Sequence, residues 1–167
     1  MGEYSRITHE FLPVFDERSK VLILGSLPSV KSREQGFYYG HPQNRFWKVL
    51  AAVCEEPVPQ AIEEKKAMLL RHGIAIWDVI FQCDIIGSSD SSIKNVVPAD
   101  IAGLLTKTKI DHIFANGKTA GNLYEKYVRE QTGRTITVLP STSPANAACS
   151  LEKLVTIWRE ELQCLNS

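Results

Sequence analysis

KVLILG, at residues 20–25, is a short apolar run that a glycine closes, and it has the form of a buried parallel strand. Three similar runs follow it along the chain. They are IAIWDVI at residues 74–80, IDHIFA at residues 110–115 and TITVL at residues 135–139. These four runs predict the strands of one sheet.

Helical patterns fall between the apolar runs. One stripe has the spacing i, i+3, i+4 and i+7 of a helix face: Phe46, Val49, Leu50 and Val53. Ile62, Leu69 and Leu70 suit a second helix, and a third is predicted at about residues 118–129. The last stripe, with Ser150 placed to cap it, comprises Leu151, Leu154, Val155, Trp158 and Leu162. Strands that alternate with helices predict a three-layer α/β/α sandwich around a mostly parallel four-stranded sheet.

The length and composition favour one globular domain. The chain has 167 residues and contains no repeat, low-complexity stretch or linker. We therefore predict a single domain over residues 1–167, with a core at about 20–162 and a peripheral N-terminal segment at 1–19. No run approaches the roughly 18 apolar residues of a membrane span, and charged residues interrupt the N-terminus where a signal peptide would be apolar. We expect a cytoplasmic monomer.

The cysteines and the net charge exclude several kinds of site. The four cysteines, at positions 54, 83, 149 and 164, form no C-x-x-C pair, which argues against a zinc ribbon, an iron–sulfur cluster and a disulfide framework. We expect no metal and no other cofactor. The formal net charge is +0, so any contact with DNA must be local, through a few phosphates that loops hold.

Polar loops follow the predicted strands at their carboxyl ends, where open α/β sheets bind ligands. These loops are residues 25–29, 81–98, 116–119 and 140–146, and all four are rich in Gly, Pro, Ser and Asn. A site at this edge of the sheet would therefore consist of neutral hydrogen-bonding groups and backbone amides.

Several familiar catalytic motifs are missing from the sequence. The chain has no G-x-S-x-G elbow of the α/β-hydrolases, and it has neither the H-x-E nor the P-C-x-x-C motif of the zinc deaminases. GKT at residues 117–119 resembles the end of a P-loop, but His112 stands where that motif needs its first glycine. Asp78 and Asp84 are the one pair of carboxylates near the predicted mouth, which gives two-carboxylate glycosidase chemistry only weak support.

Several spaced segments resemble the uracil-DNA glycosylase superfamily. GFYYGHPQNRFWKVL, at residues 36–50, is similar to the G-F-x-F-A-H-P-x-N-R-F-W-K-V-I segment of mismatch-specific uracil/thymine-DNA glycosylases. VLP at residues 138–140 and SLEKLV at residues 150–155 resemble the final strand and helix of the same family. Together with GSLPS and LPSTSPANA, the pattern is most similar to the hypoxanthine-DNA (DNA-deoxyinosine) glycosylase branch. The resemblance covers roughly residues 20–162.

The resemblance implies a base-excision repair enzyme that hydrolyses the bond between a deaminated base, hypoxanthine or uracil, and its deoxyribose in single- or double-stranded DNA. Such an enzyme swings the nucleotide out of the base stack and reads the base in a pocket. The families it resembles are monofunctional, so we expect no lyase step. Two residues depart from the pattern of the uracil enzymes: Ser26 replaces a water-positioning Asn, and Ser141 lies where a histidine stabilises the departing base. These departures argue against specificity for uracil paired with guanine, whereas the resemblance to the hypoxanthine branch tolerates them.

Asn44 is the first catalytic candidate, because the resemblance assigns catalysis to the Asn of this H-P-x-N segment. The alternative is an amide that ties the loop to the following helix. Ser26 is the second candidate and would hold the water or the sugar phosphate. Tyr39 matches the aromatic residue that stacks on the flipped base in the relatives, although a buried aromatic also packs in a core.

The other candidates for base binding are Gly25, Leu27, His41 and Asp78. His41 could instead form a turn before Pro42, and Asp78 could instead tie a buried loop. The candidates for contact with the DNA backbone are Ser29, Lys118, Ser141, Thr142, Ser143 and Asn146. Lys118 opens a helix, where backbone amides accept phosphate. Ordinary turns and a solvated lysine would use the same residue types.

Two other functions are compatible with these features. A hydrolase of free nucleosides would share the fold and would cleave inosine or deoxyuridine in solution. A damaged-DNA binding module would bind the duplex tightly and release no base, and the missing Asn and histidine of the uracil enzymes favour this interpretation.

Overall fold

The computed structural model describes residues 3–9, 11–87 and 89–166. The strands are β1 (Ser5–Thr8), β2 (Val21–Gly25), β3 (Ile74–Asp78), β4 (Ile80–Ile85), β5 (Lys94–Pro98), β6 (His112–Asn116) and β7 (Thr137–Leu139). The helices are α1 (Val30–Gln35), α2 (Phe46–Cys54), α3 (Ile62–Arg71), α4 (Ile101–Thr106), α5 (Lys118–Tyr127), α6 (Arg129–Thr132) and α7 (Leu151–Glu161). Short 3₁₀ turns occupy Asp90–Ser92 and Leu162–Asn166.

Four of the strands form the parallel sheet that the apolar runs predict. Their order is β3-β2-β6-β7, and each of the pairings is parallel. At the carboxyl ends, Gly25 is in register with Asp78, and Asn116 is in register with Leu139. The prediction of an α/β fold with a mostly parallel four-stranded sheet is therefore confirmed.

Helices cover both faces of this sheet. All of β2 is buried, and its successive side chains point to opposite faces. Val21 and Ile23 pack in the same cluster as residues of α2, α3 and α7. Leu22 and Leu24 pack in a second cluster with residues of α4 and α5. The sheet is thus the middle of three layers.

A second, antiparallel sheet has the order β1-β4-β5 and was not expected from the sequence. β4 and β5 occupy most of residues 81–98, which were predicted to be one loop, so that prediction is wrong. The run IAIWDVI divides at Val79, and β4 continues with buried Ile80, Cys83 and Ile85. β5 has no buried residue, so it shows no apolar pattern and exists because it pairs with β4. Ser88 lies outside the described residues.

The N-terminal residues pack into the domain, in contrast to the peripheral position expected for residues 1–19. β1 pairs with β4, Val14 bridges to Ile76, and His9 is buried. No residue of β1 is buried, so this strand has no apolar pattern from which its pairing could be predicted. Residues 1, 2 and 10 lie outside the described part of the chain.

The helices predicted from apolar periodicity are present as α2, α3, α5 and α7. Ser150 caps α7 as predicted, because its side chain accepts a hydrogen bond from the Lys153 N–H at 3.2 Å. α1 and α4 have 6 residues each, too few to show a helical period. Within the described ranges, no helix has the length and apolar character needed to cross a membrane.

Candidate active site

A cavity of about 870 Å³ opens at the carboxyl ends of the parallel strands. Residues that follow β2, β6 and β7 form its wall, together with Asp78 at the end of β3 and the segment just before α2. All the predicted site residues except one line it: Gly25, Ser26, Leu27, Ser29, Tyr39, Asn44, Asp78, Lys118, Ser141, Thr142, Ser143 and Asn146. The fold therefore brings residues from both halves of the chain to one place.

His41 is the exception, since it is not among the described residues that line the cavity. Its Nδ1 accepts a hydrogen bond from the Gln43 backbone N–H at 3.1 Å. Its carbonyl oxygen accepts the Asn44 N–H at 2.9 Å. These contacts fit the turn-forming role that was the alternative for His41, and its base-binding role stays a prediction.

Asn44, Thr142 and Asn116 form a chain of hydrogen bonds in the cavity wall. The Thr142 backbone N–H donates to Asn116 Oδ1 at 3.0 Å, and Asn116 Nδ2 donates to Thr142 Oγ1 at 3.0 Å. The Thr142 hydroxyl then donates to Asn44 Oδ1 at 2.8 Å. The Phe46 N–H donates to the same Asn44 oxygen at 2.9 Å. Because a backbone N–H can only donate, these contacts fix which end of each amide is the oxygen.

This series of hydrogen bonds leaves the Asn44 side chain with a free donor and no free acceptor. A carbonyl oxygen has two lone pairs, and both of those on Asn44 Oδ1 are engaged. The Asn44 Nδ2 group has no hydrogen-bond partner among the described residues, and Asn44 lines the cavity. Successive hydrogen bonds polarise one another, which strengthens the last donor in the chain. Asn44 therefore offers N–H groups to a molecule in the cavity.

Asn116 is a site residue that was not singled out from the sequence. It is the last residue of β6 and lines the cavity. A polar side chain at the end of an apolar strand run, directly before Gly117, was the available signal, because that position faces the ligand-binding edge of a parallel sheet.

Several polar groups of the last loop, residues 141–146, form hydrogen bonds within the loop or with neighbouring residues of the site. Thr142 is 0% exposed, so its predicted contact with DNA phosphate is corrected: the hydroxyl belongs to the buried amide chain. The Ser141 and Ser143 hydroxyls each accept a backbone N–H from two residues further along. The Asn146 amide donates to the Ser141 carbonyl at 3.0 Å. These bonds give the loop a defined shape, and its contacts with DNA stay a prediction.

Arg45 joins the last loop to the start of α2. Its guanidinium donates to the carbonyls of Ser143 at 2.9 Å, Asn146 at 3.1 Å and Thr142 at 3.4 Å, and also to the carbonyl of Cys149. Arg45 directly follows Asn44, so the loop and the candidate catalytic amide share one support.

We expect Arg45→Lys to lower the free energy of unfolding by about 2 kcal/mol, because a single ammonium cannot reproduce the planar fork that reaches these carbonyls. Urea unfolding measures the change. The matched control is Arg129→Lys, since Arg129 is exposed and pairs with Glu125 on a helix surface. We expect that control to change stability by less than about 0.5 kcal/mol. Equal stability of Arg45→Lys and wild type would contradict the role given to Arg45.

Tyr39 lies in the cavity wall with a backbone conformation that bulky residues rarely adopt. Its φ is 54°, in the left-handed region. One face of its ring stacks on Phe46, with centroids 3.9 Å apart. The hydroxyl is buried without a hydrogen-bond partner among the described residues. Burial, followed by the charge of Asp78, raises the pKa of this hydroxyl far above its usual value, and the nearby Asn116 amide opposes the shift only in part.

Asp78 and His9 form a buried pair at the floor of the cavity. His9 Nε2 lies 2.7 Å from Asp78 Oδ2, and the two side chains are 2% and 4% exposed. His9 Nδ1 accepts the Phe11 backbone N–H at 3.2 Å, so the ring proton resides on Nε2 and is donated to Asp78. His9 was not singled out from the sequence, because nothing local connects it to a residue so distant in the chain.

The loop after β2 places three predicted residues. A Cβ atom on Gly25 would lie 2.4 Å from Asp78 Oδ1 and 2.9 Å from Tyr39 Oη, so the floor has room only for a glycine. The Ser26 hydroxyl has no hydrogen-bond partner within the described ranges, and Ser26 lines the cavity. Leu27 packs on the buried side chains of β4.

Lys118 and Ser29 also line the cavity. The Lys118 side chain is exposed, whereas the Ser29 hydroxyl is engaged in a hydrogen bond. Lys118 is exposed as the first residue of α5, where an N-terminal amide and an ammonium favour phosphate. The Ser29 hydroxyl caps α1 by accepting the Ser32 N–H at 3.1 Å.

No group of three or more His, Cys, Asp and Glu side chains suited to a metal ion occurs in the part of the chain that the structure describes.

Known proteins are similar to this chain in both sequence and fold. The family model described as the uracil DNA glycosylase superfamily matches residues 12–162. A protein of Methanosarcina acetivorans named hypoxanthine DNA glycosylase is 39% identical over 142 residues, which cover 84% of this chain and 89% of that protein. One of the same name from Methanosarcina barkeri is 35% identical over 153 residues, covering 90% and 94%. A solution NMR structure from Methanosarcina acetivorans, described as a candidate uracil DNA glycosylase, has a TM-score of 0.82 and 34% identity, covering 96% of this chain and 99% of that chain.

Proposed function

Because the chain belongs to the uracil DNA glycosylase superfamily, we propose that it removes hypoxanthine from DNA by hydrolysing the bond between the base and its deoxyribose. The name of the two Methanosarcina relatives supports this substrate. The structural observation that carries the proposal is the Asn44 amide, which Thr142 and Phe46 hold so that its N–H groups are free for a molecule in the cavity. The products are free hypoxanthine and an abasic site.

Asn44 acts on the departing base. The C1′–N9 bond breaks, its electron pair leaves with the purine, and the deoxyribose becomes an oxocarbenium-like cation. Negative charge develops on the base, and a preorganised N–H donor stabilises that charge. Both lone pairs of Asn44 Oδ1 are engaged, so this oxygen does not hold the attacking water.

Ser26 is the residue that we assign to the water. Its hydroxyl follows β2, lines the cavity and has no partner among the described residues. The water oxygen forms the new bond to C1′, and its proton passes to solvent or to the departing base. A strongly cationic sugar accepts a weak nucleophile, so the mechanism needs no strong base.

The flipped base stacks on the face of the Tyr39 ring opposite Phe46, since Phe46 covers the other face. The exposed Lys118 and the last loop remain near the DNA backbone. With a net charge of +0, the protein binds through a few local phosphate contacts, and its salt dependence is correspondingly small.

Oligonucleotides that each carry one inosine, uracil, xanthine or ethenoadenine test the proposal in single- and double-stranded form. After incubation with the protein, alkali cleaves any abasic site, and a denaturing gel shows the strand break. We expect the inosine strand to break only after alkali treatment, because the enzyme has no lyase step.

Other outcomes identify the competing functions. A binding module would shift the inosine duplex on a native gel and yield no abasic site. A nucleoside hydrolase would release base from free deoxyinosine and leave the oligonucleotides intact. Faster cleavage at uracil than at inosine would reassign the substrate within the same chemistry.

A further inference from the structure

The Asp78 carboxylate has one oxygen that the fold uses and one that it leaves free. Oδ2 lies 2.7 Å from His9 Nε2 and accepts its proton. Oδ1 has no hydrogen-bond partner among the described residues, and it lies 2.4 Å from the point where a Gly25 side chain would begin. Since Gly25 and Asp78 both line the cavity, Oδ1 is an acceptor at its floor.

We propose that Asp78 Oδ1 reads the base, by accepting a hydrogen bond from the N1–H of hypoxanthine and repelling the N1 lone pair of adenine. This inference rests on the proposed function. Deamination turns N1 of adenine from a bare acceptor into an N–H donor, and a group that can only accept distinguishes the two. A site built to bind a substrate N–H rejects the analogue that lacks it, because the site's own buried polar group is then left unpaired.

His9 engages Asp78 Oδ2 and leaves Oδ1 free to accept a hydrogen bond. The Phe11 N–H occupies His9 Nδ1, so the ring has one proton, on Nε2, and is neutral. A neutral histidine donates a hydrogen bond without cancelling the carboxylate charge. That charge also reaches two neighbouring phenols: burial first, and Asp78 second, raise the pKa values of Tyr38 and Tyr39.

The hydrogen bond from His9 does not by itself explain why the residue at position 78 is a carboxylate and not an amide. A neutral amide oxygen would accept the same proton from His9 Nε2 without the cost of burying a charge. Asp78 is 3% exposed, and among the described residues it has no hydrogen-bond contact with a lysine or arginine side chain. A buried carboxylate with a free oxygen is costly to the fold, and a base that donates an N–H to it offsets that cost.

The position of Tyr39 directs the edge of the base to Asp78. Tyr39 Oη and Asp78 Oδ1 lie 2.9 Å and 2.4 Å from the same point above Gly25, and are therefore close to each other. A base stacked on the Tyr39 ring has its edge beside this point. The Asp78 side chain is 4% exposed, whereas Lys118 is exposed, so the base edge enters deeply while the sugar and phosphates remain outside.

Asp78→Asn tests this inference with two DNA substrates, one carrying deoxyinosine and one carrying deoxynebularine, whose purine has an N1 lone pair and no N1–H. In the variant, the His9 proton attracts the amide oxygen, so an NH2 donor takes the place of the free acceptor. We expect the ratio of the single-turnover excision rates, inosine over nebularine, to fall by about 10- to 100-fold. The ratio of the two rates is independent of the fraction of the protein that is folded and active.

Asp84→Asn is the matched control, because Asp84 is on β4, pairs with Arg6 and is outside the residues lining the cavity. We expect its ratio to equal that of wild type. An Asp78→Asn ratio equal to wild type, in an active protein, would overturn only this inference. If wild type excises neither hypoxanthine from the inosine substrate nor purine from the nebularine substrate, the proposed function is overturned and the inference with it.

A measurement on wild type alone decides the matter if Asp78→Asn does not fold. Free hypoxanthine and 1-methylhypoxanthine are compared as inhibitors of inosine excision. We expect hypoxanthine to inhibit and the N1-methylated base, which has no N1–H, to inhibit much more weakly. Equal inhibition by the two bases would overturn the role of Asp78.

Discussion

We expect Asn44→Asp to lower the single-turnover rate of hypoxanthine excision by about 10²- to 10³-fold, the effect of removing one preorganised transition-state donor. The carboxylate keeps an acceptor oxygen for the Phe46 N–H and the Thr142 hydroxyl, so both hydrogen bonds at the start of α2 are retained. It lacks the NH2 group to which we assign the stabilisation of charge on the departing base. The rate is measured with excess enzyme on an inosine duplex, and the melting temperature is measured alongside.

Asn44→Ala separates the two roles of this side chain. It removes the donor and the acceptor together, so we expect a similar loss of rate with a fall of about 1 kcal/mol in the free energy of unfolding. The control is Asn122→Asp, the same chemical change at an exposed position of α5 outside the cavity lining. A wild-type rate in Asn44→Asp would move catalysis to Ser26 or to the last loop.

We expect Gly25→Ala to lower the excision rate by about 10²-fold, because misplacement of a positioning group by about 1 Å has an effect of that size. The added methyl group would lie 2.4 Å from Asp78 Oδ1 and 2.9 Å from Tyr39 Oη. Neither group can move away freely, since His9 holds Asp78 and Phe46 packs against Tyr39. The readout is the excision rate on inosine DNA, corrected for the folded fraction by circular dichroism.

Gly103→Ala is the control for this substitution, because its Cβ would also meet a carboxylate oxygen, Asp100 Oδ2, at 2.2 Å. Asp100 is exposed and caps α4, outside the residues that line the cavity. Its side chain can turn away, so we expect a wild-type excision rate. If Gly25→Ala is also fully active, the floor of the cavity tolerates movement and the positions of Asp78 and Tyr39 do not limit catalysis.

The residues at the edge of the sheet could be predicted from sequence because parallel strands end together. Four apolar runs located that edge, and the polar residues directly after them, such as Ser26, Lys118 and Ser141, line one cavity. The segment before α2 was found in another way, through its resemblance to a known family, and it supplied Tyr39 and Asn44.

The partners of these residues could not be predicted, since their contacts join distant parts of the chain. Arg45 and Thr142 are 97 residues apart, and His9 and Asp78 are 69 residues apart. A loop threonine gives no local sign that it is buried, which is why Thr142 was assigned to DNA. β5 could not be predicted for a related reason: its pairing with β4, and not its own composition, makes it a strand.

The proposed contact with the edge of the base and the proposed stabilisation of the departing base depend on different hydrogen bonds. His9 follows β1, and its backbone N–H donates to the Phe81 carbonyl of the antiparallel sheet at 2.7 Å. Asn44 depends on α2 and the last loop through Phe46 and Thr142. We therefore expect changes in the segment around His9 to alter the range of lesions accepted while the hydrogen bonds that hold Asn44 stay in place.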